Sequence, residues 1–232
     1  MLRDICFYLR NKVFGKIPLR PLPYIPRPGA HVQEVAFYQR VLTSSLGEAE
    51  RRRICLLVDV GCRNWSYLDA LFAAFPNVAL ATGIEVDPGR RMTDLYRRGD
   101  LAQGFALAAS KRGQFARVLL RDFMEVPFFP TPDTAYLFLY PFVSARPCRA
   151  WGLPSRFADF SGYLTRVSQI LSPTSFVLSV HQGQWEVEVA LKAYADSGLK
   201  ITPPLLIPPS ETGWPTPPPT YAIVARKNPA LK

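Results

Sequence analysis

An acidic residue and a glycine that follow an apolar run form the strongest chemical signal in the sequence. Residues 54–58 are apolar, and Asp59 and Gly61 come directly after them. From Tyr67 onward, apolar residues recur at three- and four-residue spacing, which is typical of an amphipathic helix. The pattern predicts a buried parallel strand, a tight turn and a helix. Open α/β sheets bind ligands at such turns, at the carboxyl ends of their strands.

A second acidic residue lies near the end of the next apolar segment. Glu85 is close to the end of residues 79–86, where a carboxylate can accept hydrogen bonds from both ribose hydroxyls of an adenosine cofactor. Asp87 follows two residues later, directly before Pro88. Because proline is favoured in the first turn of a helix, we expect Asp87 to be the N-cap of a helix that breaks near Gly99 and continues to residue 111.

Strand and helix patterns alternate along the rest of the chain, which predicts an α/β fold with a mostly parallel, seven-stranded sheet and helices on both faces. Pro203 and Pro204 interrupt the sixth strand. The strands after the first two are predicted at 115–121, 134–140, 175–181, 199–206 and 220–226, and further helices at 157–171 and 185–197.

The first 52 residues are predicted to be a basic, helical and proline-rich extension to a domain at 53–232. A short helix over residues 1–17 precedes a stiff connector with five prolines between Pro18 and Pro28, and a second helix follows at 32–46. The formal net charge of the chain is +10, and residues 1–53 hold ten basic and four acidic residues. This charge is suited to nucleic acid, anionic lipid or an acidic partner, and it equally suits a solvated face.

Composition excludes several classes of protein. The four cysteines include no C-x-x-C pair and there are two histidines, so no metal site is expected. No apolar run approaches the roughly 18 residues that span a bilayer. Charged residues interrupt any secretory signal in the first 17 residues. We therefore expect a cytoplasmic protein without a transmembrane segment.

The order of elements over residues 53–227 resembles the class I S-adenosylmethionine-dependent methyltransferases, whose sheet is Rossmann-like. The stretch from Asp59 to Tyr67 is also similar to poorly characterised bacterial methyltransferase-like proteins. The resemblance implies S-adenosylmethionine as cofactor. It assigns Asp59, Val60, Gly61 and Cys62 to the methionine part, Glu85 and Val86 to the ribose, and Asp122 and Phe123 to the adenine.

The turn after the first strand departs from the family pattern. Arg63 and Trp65 stand where further glycines are usual, and glycine allows the closest approach of backbone to ligand. We predict that both side chains shape the cofactor pocket without closing it. The alternative is a non-catalytic binding or interaction module on the same fold.

The acceptor side offers fewer signals. The resemblance places Tyr140 beside the reacting methyl group, although a core aromatic is an equal alternative. His181, at the end of the fifth strand, is a candidate general base because histidine titrates near neutral pH. Arg146, with Arg149 and Arg156, is a candidate contact for an anionic substrate or a phosphate backbone, and a solvated loop is an equal alternative. Trp214 is a candidate aromatic wall in the loop 207–219, and its alternative role is a packing anchor for that loop.

The combined interpretation is a methyltransferase that acts on an oxygen, nitrogen or carbon of an unidentified acceptor, with a small molecule favoured over nucleic acid. An RNA methyltransferase is an alternative that the charge of +10 supports. However, the Pro-Asp-Pro-Trp string of tRNA guanine methyltransferases is absent after the fourth strand. A nicotinamide-dependent oxidoreductase is disfavoured because no G-x-G-x-x-G follows the first strand.

Overall fold

An eight-stranded sheet with helices on both faces organises the protein, as seen in a computed structural model that describes residues 2–13, 31–92, 96–208 and 219–228. The strand order is β3-β2-β1-β4-β5-β8-β6, and β7 also pairs with β8. Strands β1 to β5 are parallel, and β8 is antiparallel to β5. The strands are β1 (Leu56–Val60), β2 (Leu80–Ile84), β3 (Ala116–Leu119), β4 (Thr134–Leu139), β5 (Phe176–Gln182), β6 (Lys200–Ile201), β7 (Leu205–Ile207) and β8 (Thr220–Arg226).

The helices alternate with the parallel strands, so the predicted α/β fold class is confirmed. Short 3₁₀ helices at Phe123–Glu125 and Ser155–Ala158 lie beside the carboxyl edge of the sheet. The α-helices are α1 (Leu2–Tyr8), α2 (Val32–Ser45), α3 (Glu48–Arg53), α4 (Leu68–Ala74), α5 (Arg98–Lys111), α6 (Ala145–Ala150), α7 (Phe160–Ile170) and α8 (Gly183–Ser197).

Two apolar cores lie on opposite faces of the sheet, and β4 contributes to both. Successive side chains of a strand point to opposite faces, so a strand between two helical layers is apolar throughout. Ala135 and Leu137 join the core with α2 and α4, whereas Tyr136 and Phe138 join the core with α7 and α8. All six residues of β4 are buried, which explains its continuous apolar sequence.

Two predicted elements differ in part from the structure. The helix expected directly after Pro88 begins at Arg98, because the chain turns back and the amides of Arg98 and Gly99 donate to the carbonyls of Arg90 and Pro88. The predicted strand at 199–206 is two short strands, β6 and β7. Proline has no amide hydrogen for strand pairing, so the pair at 203–204 separates them.

The predicted N-cap role of Asp87 was wrong. This fully buried carboxylate accepts hydrogen bonds from Arg10 Nε and Nη2, both at 2.8 Å, and from Asn11 Nδ2 at 2.9 Å. Asn11 Oδ1 in turn accepts from the Gly89 amide at 2.7 Å. A Cβ at Gly89 would lie 2.4 Å from the Arg10 carbonyl oxygen, so only glycine permits this approach. A buried carboxylate requires partners, and the N-terminal segment supplies them.

The N-terminal segment packs on the carboxyl edge of the sheet. Helix α1 continues as a π-helical turn over Leu9–Val13. The Phe7 ring lies 5.1 Å from the Phe157 ring, in a small apolar cluster with Cys148 and Leu153. Helix α2 instead packs against α4 within the main core. The proline-rich connector lies outside the described residues, and the domain boundary at residue 52 stays a prediction.

Gly83 in β2 offers a test of the packing beneath the β1 turn. A Cβ at this position would lie 2.9 Å from Cys62 Sγ and 3.1 Å from the Trp65 ring. We expect Gly83→Ala to lower the free energy of unfolding by about 1–3 kcal/mol, the usual cost of overpacking a core. Urea denaturation measures this change.

The matched control is Gly47→Ser, since no atom lies within 4 Å of a Cβ added at Gly47 and serine is favoured at this N-cap position. We expect the control to change the free energy of unfolding by less than about 0.5 kcal/mol. Equal stability of Gly83→Ala and the unsubstituted protein would contradict the described packing.

Candidate active site

A cavity of about 290 Å³ opens at the carboxyl ends of β1, β2 and β4. The turns after β1, β2, β3 and β4 each contribute to its lining. Helix α2 adds Phe37 and Tyr38, and the segment after α6 adds Trp151 and Leu153. The parallel strands therefore bring together side chains that are far apart in the sequence, at the edge where α/β sheets bind ligands.

The turn after β1 presents backbone to this cavity. Gly61 has φ 79°, a conformation that favours glycine, and its amide donates to the Ile84 carbonyl at 2.8 Å. No atom lies within 4 Å of the position that a Cβ of Gly61 would take. Val60 and Gly61 line the cavity, whereas the Cys62 side chain is buried in the main core. Burial raises the pKa of the Cys62 thiol well above its usual value.

Asp59 stabilises the turn after β1 from its buried side. Its Oδ2 accepts hydrogen bonds from Trp65 Nε1 at 2.8 Å and from the Tyr67 hydroxyl at 2.9 Å. Its Oδ1 is buried and has no hydrogen-bond partner among the described residues. Burial raises the pKa of this carboxyl to about 7, although the two donors act in the opposite direction.

Trp65 does not line the cavity. Its backbone has φ 55°, and its side chain is fully buried in the main core, where the ring lies over Gly83. The indole ring therefore fills the space beneath the turn. This placement leaves room above the turn at a position where the family usually has glycine.

Arg63 is the bulky residue of the turn that does line the cavity. It has φ 57°, and its guanidinium group makes no hydrogen bond or ion pair within the described parts of the chain. A half-buried guanidinium group without a carboxylate partner is suited to bind an anionic group of a ligand.

Glu85 lines the cavity at the end of β2 and is 1% exposed. Its Oε1 accepts from the Asp87 amide at 2.6 Å and from Arg98 Nη1 at 3.3 Å. Neither contact involves Oε2. Burial raises the pKa of Glu85, and the Arg98 charge opposes this effect. Val86 lines the cavity beside it.

Asp122 and Phe123 line the cavity after β3. The Oδ1 of Asp122 accepts from the Met124 amide at 2.9 Å and caps the short 3₁₀ helix. The buried Phe123 ring contacts the rings of Phe128 and Phe138, at centroid distances of 5.5 and 6.0 Å. Phe123 therefore forms an apolar wall, and Asp122 a polar rim.

Tyr140 lines the cavity at the end of β4, with φ 61°. Its hydroxyl lies 3.3 Å from Thr220 Oγ1. Burial raises the pKa of the Tyr140 hydroxyl to about 12, so this residue is neutral at physiological pH. Pro141 and Phe142 continue the lining after it.

His181 is not part of the cavity lining, contrary to its expected role as a general base. Its side chain points to the α7–α8 face of β5, where Nε2 lies 2.8 Å from Ser179 Oγ and the ring is 5.6 Å from that of Phe160. Burial lowers the pKa of His181 to about 3. The side chain is therefore a neutral part of the core.

Sequence reasoning missed Glu186, a half-buried carboxylate in the first turn of α8 that lines the cavity. Its Oε2 accepts from the Gln182 amide at 2.7 Å, and burial raises its pKa. A signal was present in the sequence. An acid in the first turn of a helix that directly follows a strand must lie near the carboxyl edge of the sheet.

Comparison with known proteins shows similarity in structure and not in sequence. No protein-family model and no curated protein matches the sequence. Magnesium protoporphyrin IX methyltransferase from Synechocystis PCC 6803, crystallised with bound S-adenosylmethionine, aligns over 97% of both chains with a TM-score of 0.58 and 13% identity.

Two further solved structures are similar. Precorrin-6y C5,15-methyltransferase from Geobacter metallireducens GS-15 aligns over 84% of this chain and 88% of its own, with a TM-score of 0.53 and 11% identity. A putative RNA methyltransferase from Pyrococcus horikoshii aligns over 93% of this chain and 95% of its own, with a TM-score of 0.50 and 14% identity. The chain has the fold of the class I S-adenosylmethionine-dependent methyltransferases.

On this methyltransferase fold, most of the sequence-predicted residues meet at one cavity. The residues that line it are Val60, Gly61, Glu85, Val86, Asp122, Phe123 and Tyr140. Asp59 and Cys62 lie behind the β1 turn, in the core. Arg146 is exposed and does not line the cavity, whereas its neighbour Pro147 does. Trp214 lies outside the described residues.

The described residues contain neither a metal-site arrangement nor a membrane-spanning helix. No group of three or more histidine, cysteine, aspartate or glutamate side chains is arranged to hold a metal ion. Within the same residues, no helix has both the length and the apolar character needed to cross a membrane.

The titration of Asp59 predicts a specific pH dependence of stability. Its pKa of about 7 in the folded state lies above the unperturbed value of 3.8, so the folded state holds the proton more tightly. This contribution to stability is complete below pH of about 4 and is lost as the pH rises through about 7. Asp59→Asn removes the titration.

We expect the free energy of unfolding of the unsubstituted protein, relative to Asp59→Asn, to fall by on the order of a few kcal/mol between pH of about 4 and 8. Chemical denaturation over this range measures both proteins in the same buffers. Parallel curves for the two proteins would show that Asp59 titrates normally.

Proposed function

We propose that this chain binds S-adenosylmethionine in the cavity at the carboxyl edge of the sheet and transfers its methyl group to a small molecule. The observation that carries the proposal is the convergence of Gly61, Glu85, Asp122 and Tyr140 on one cavity of a methyltransferase fold. Structures of the Synechocystis enzyme contain S-adenosylmethionine or its demethylated product, which supports the choice of cofactor.

The residues around the cavity fit the chemical groups of this cofactor. Glu85 Oε2, which takes part in neither contact of that side chain, is the proposed acceptor for the ribose hydroxyls. Gly61 leaves open space above the turn for the methionine part. Arg63 supplies a positive charge for its carboxylate, and the unpartnered Asp59 Oδ1 lies behind the same turn. Asp122 is the proposed contact for the adenine amine.

The walls of the acceptor side favour a small, partly apolar acceptor. Phe37, Tyr38 and Tyr140 line the cavity from α2 and β4, with Glu186 at the start of α8. We propose that Glu186 accepts the proton that an acceptor hydroxyl or amine loses on methylation. The cofactor supplies an electrophilic methyl group, so the protein mainly needs to align the reacting atoms. This explains why no triad is required.

The position of Trp65 bears on the non-catalytic alternative. That alternative depended on bulky side chains filling the methionine part of the site. The Trp65 ring lies in the core, and Arg63 carries a charge that complements a carboxylate. We therefore do not propose a non-catalytic module.

Substitution of Glu85 tests the cofactor site. We expect Glu85→Gln to weaken binding of S-adenosylmethionine by about 1–3 kcal/mol, because a charged acceptor for the ribose is lost while the amide oxygen retains the contact with the Asp87 amide. Isothermal titration calorimetry measures the affinity, and circular dichroism checks that the fold survives the loss of the ion pair with Arg98.

The matched control is Glu188→Gln on the exposed face of α8, which should bind normally. If the unsubstituted protein gives no binding signal, the proposed function fails. Normal binding by Glu85→Gln would move the ribose site elsewhere in the cavity.

Arg63 provides a second test with a matched pair of ligands. We expect Arg63→Gln to weaken binding of S-adenosylmethionine by about 1–3 kcal/mol, the usual range for hydrogen bonds to charged groups. The affinity for 5′-methylthioadenosine should not change, because this ligand lacks the amino acid part. Calorimetry with both ligands measures the difference. An equal loss for both ligands would show that Arg63 supports the cavity as a whole.

A further inference from the structure

A second cavity, of about 680 Å³, lies next to the first. Its walls are the N-terminal segment with Cys6 and Leu9, residues 89–91 with Arg97, and residues 150–152. Trp151 lines both cavities and is their shared wall. Segments that are far apart in the sequence form this site, so no local sequence motif predicts it.

The charged residues of the second cavity are all arginines. Arg10, Arg90, Arg91 and Arg97 line it, and no aspartate or glutamate of the described residues does. Asp87 neutralises Arg10 through two hydrogen bonds, both at 2.8 Å. Arg90 and Arg91 therefore carry positive charge that no described carboxylate of the lining balances.

Arg90 and Arg91 are available to a ligand. The Arg90 guanidinium group lies 4.7 Å from the centre of the Trp151 ring and donates a hydrogen bond to the Trp151 carbonyl oxygen. It forms no ion pair with any carboxylate in the described part of the chain. Arg91 is exposed at the rim. Stacking on an aromatic ring fixes the plane of a guanidinium group and leaves its edge free to donate hydrogen bonds.

The partial burial of Arg90 disfavours its charged form, and a bound anion offsets that effect. Burial is the first cause that lowers the pKa of Arg90; the charges of Arg98 and Arg10 also lower it, whereas those of Asp87 and Glu85 raise it. Like charges that are held close together disfavour their charged forms, and a bound anion removes that repulsion. The positions of the arginines and their charge therefore both favour an anionic ligand.

We propose that the second cavity binds a compact anion with two or more negative charges, of the diphosphate class, through Arg90 and Arg91 with Arg97 and Arg10 beside them. Guanidinium groups donate paired hydrogen bonds to phosphate oxygens, which suits several arginines around one concave site. The proposal does not depend on methyl transfer. A small anion is favoured over a nucleic acid because the four arginines surround one cavity.

Calorimetry with inorganic pyrophosphate at low ionic strength tests the proposal. We expect the unsubstituted protein to bind, with an affinity that falls as salt is added. The double variant Arg90→Gln/Arg91→Gln should bind at least about tenfold more weakly, since hydrogen bonds to two charged groups are lost. The single variant Arg91→Gln, at an exposed position, keeps the test valid if the double variant does not fold.

Arg149→Gln is the matched control, because Arg149 is exposed, carries the same charge and lines neither cavity. It should bind pyrophosphate like the unsubstituted protein. Absence of pyrophosphate binding, or equal weakening in the control, overturns the proposal. A short single-stranded RNA is the second ligand to test. The proposal is overturned in favour of a nucleic-acid surface if this RNA binds the unsubstituted protein, does not bind the double variant and is not displaced by pyrophosphate. Binding of S-adenosylmethionine by the same proteins is scored separately.

Discussion

The buried carboxylate of Asp59 is the group on which the architecture of the β1 turn depends. A carboxylate without water must receive hydrogen bonds, and Trp65 and Tyr67 supply them to a single oxygen. The indole can reach Asp59 because Gly83 on the neighbouring strand leaves space for the ring. The turn thereby keeps an open upper side although it contains one glycine where the family has several. Because the Trp65 ring packs beneath the turn, the backbone above it stays accessible without further glycines.

A pair of buried carboxylates lies at the carboxyl end of β2, where this strand meets the cavity. Glu85 and Asp87 lie two residues apart, and each faces an arginine from another part of the chain, Arg98 and Arg10. The Asp87 amide also donates to Glu85. The position of the proposed ribose acceptor is thus fixed by backbone and by charge together. Removing one partner of such a pair leaves a buried charge without compensation, which is strongly destabilising.

The sequence predicted those features that depend on local periodicity. Alternating strands and helices identified the fold, and acids at strand ends located Glu85 at the cavity. Features that depend on distant contacts were not predictable. Asp87 has its partners 76 and 77 residues away, so its assignment as an N-cap followed a local rule that a tertiary contact overrides. His181 was placed correctly at a strand end, but its face of the sheet depends on the packing of α7 and α8. The arginine-lined cavity requires three separate segments.

The contact between Arg10 and Asp87 connects the N-terminal segment to the cavity. Arg10, Asp87, Glu85 and Arg98 form one continuous series of hydrogen bonds from the N-terminal segment to the cavity. Thermodynamic reciprocity then applies: a ligand at Glu85 that favours the docked N-terminal segment must itself be bound more tightly when that segment is docked. For such a ligand, protection of the amides of residues 2–13 from hydrogen exchange would report occupancy of a cavity that those residues do not line.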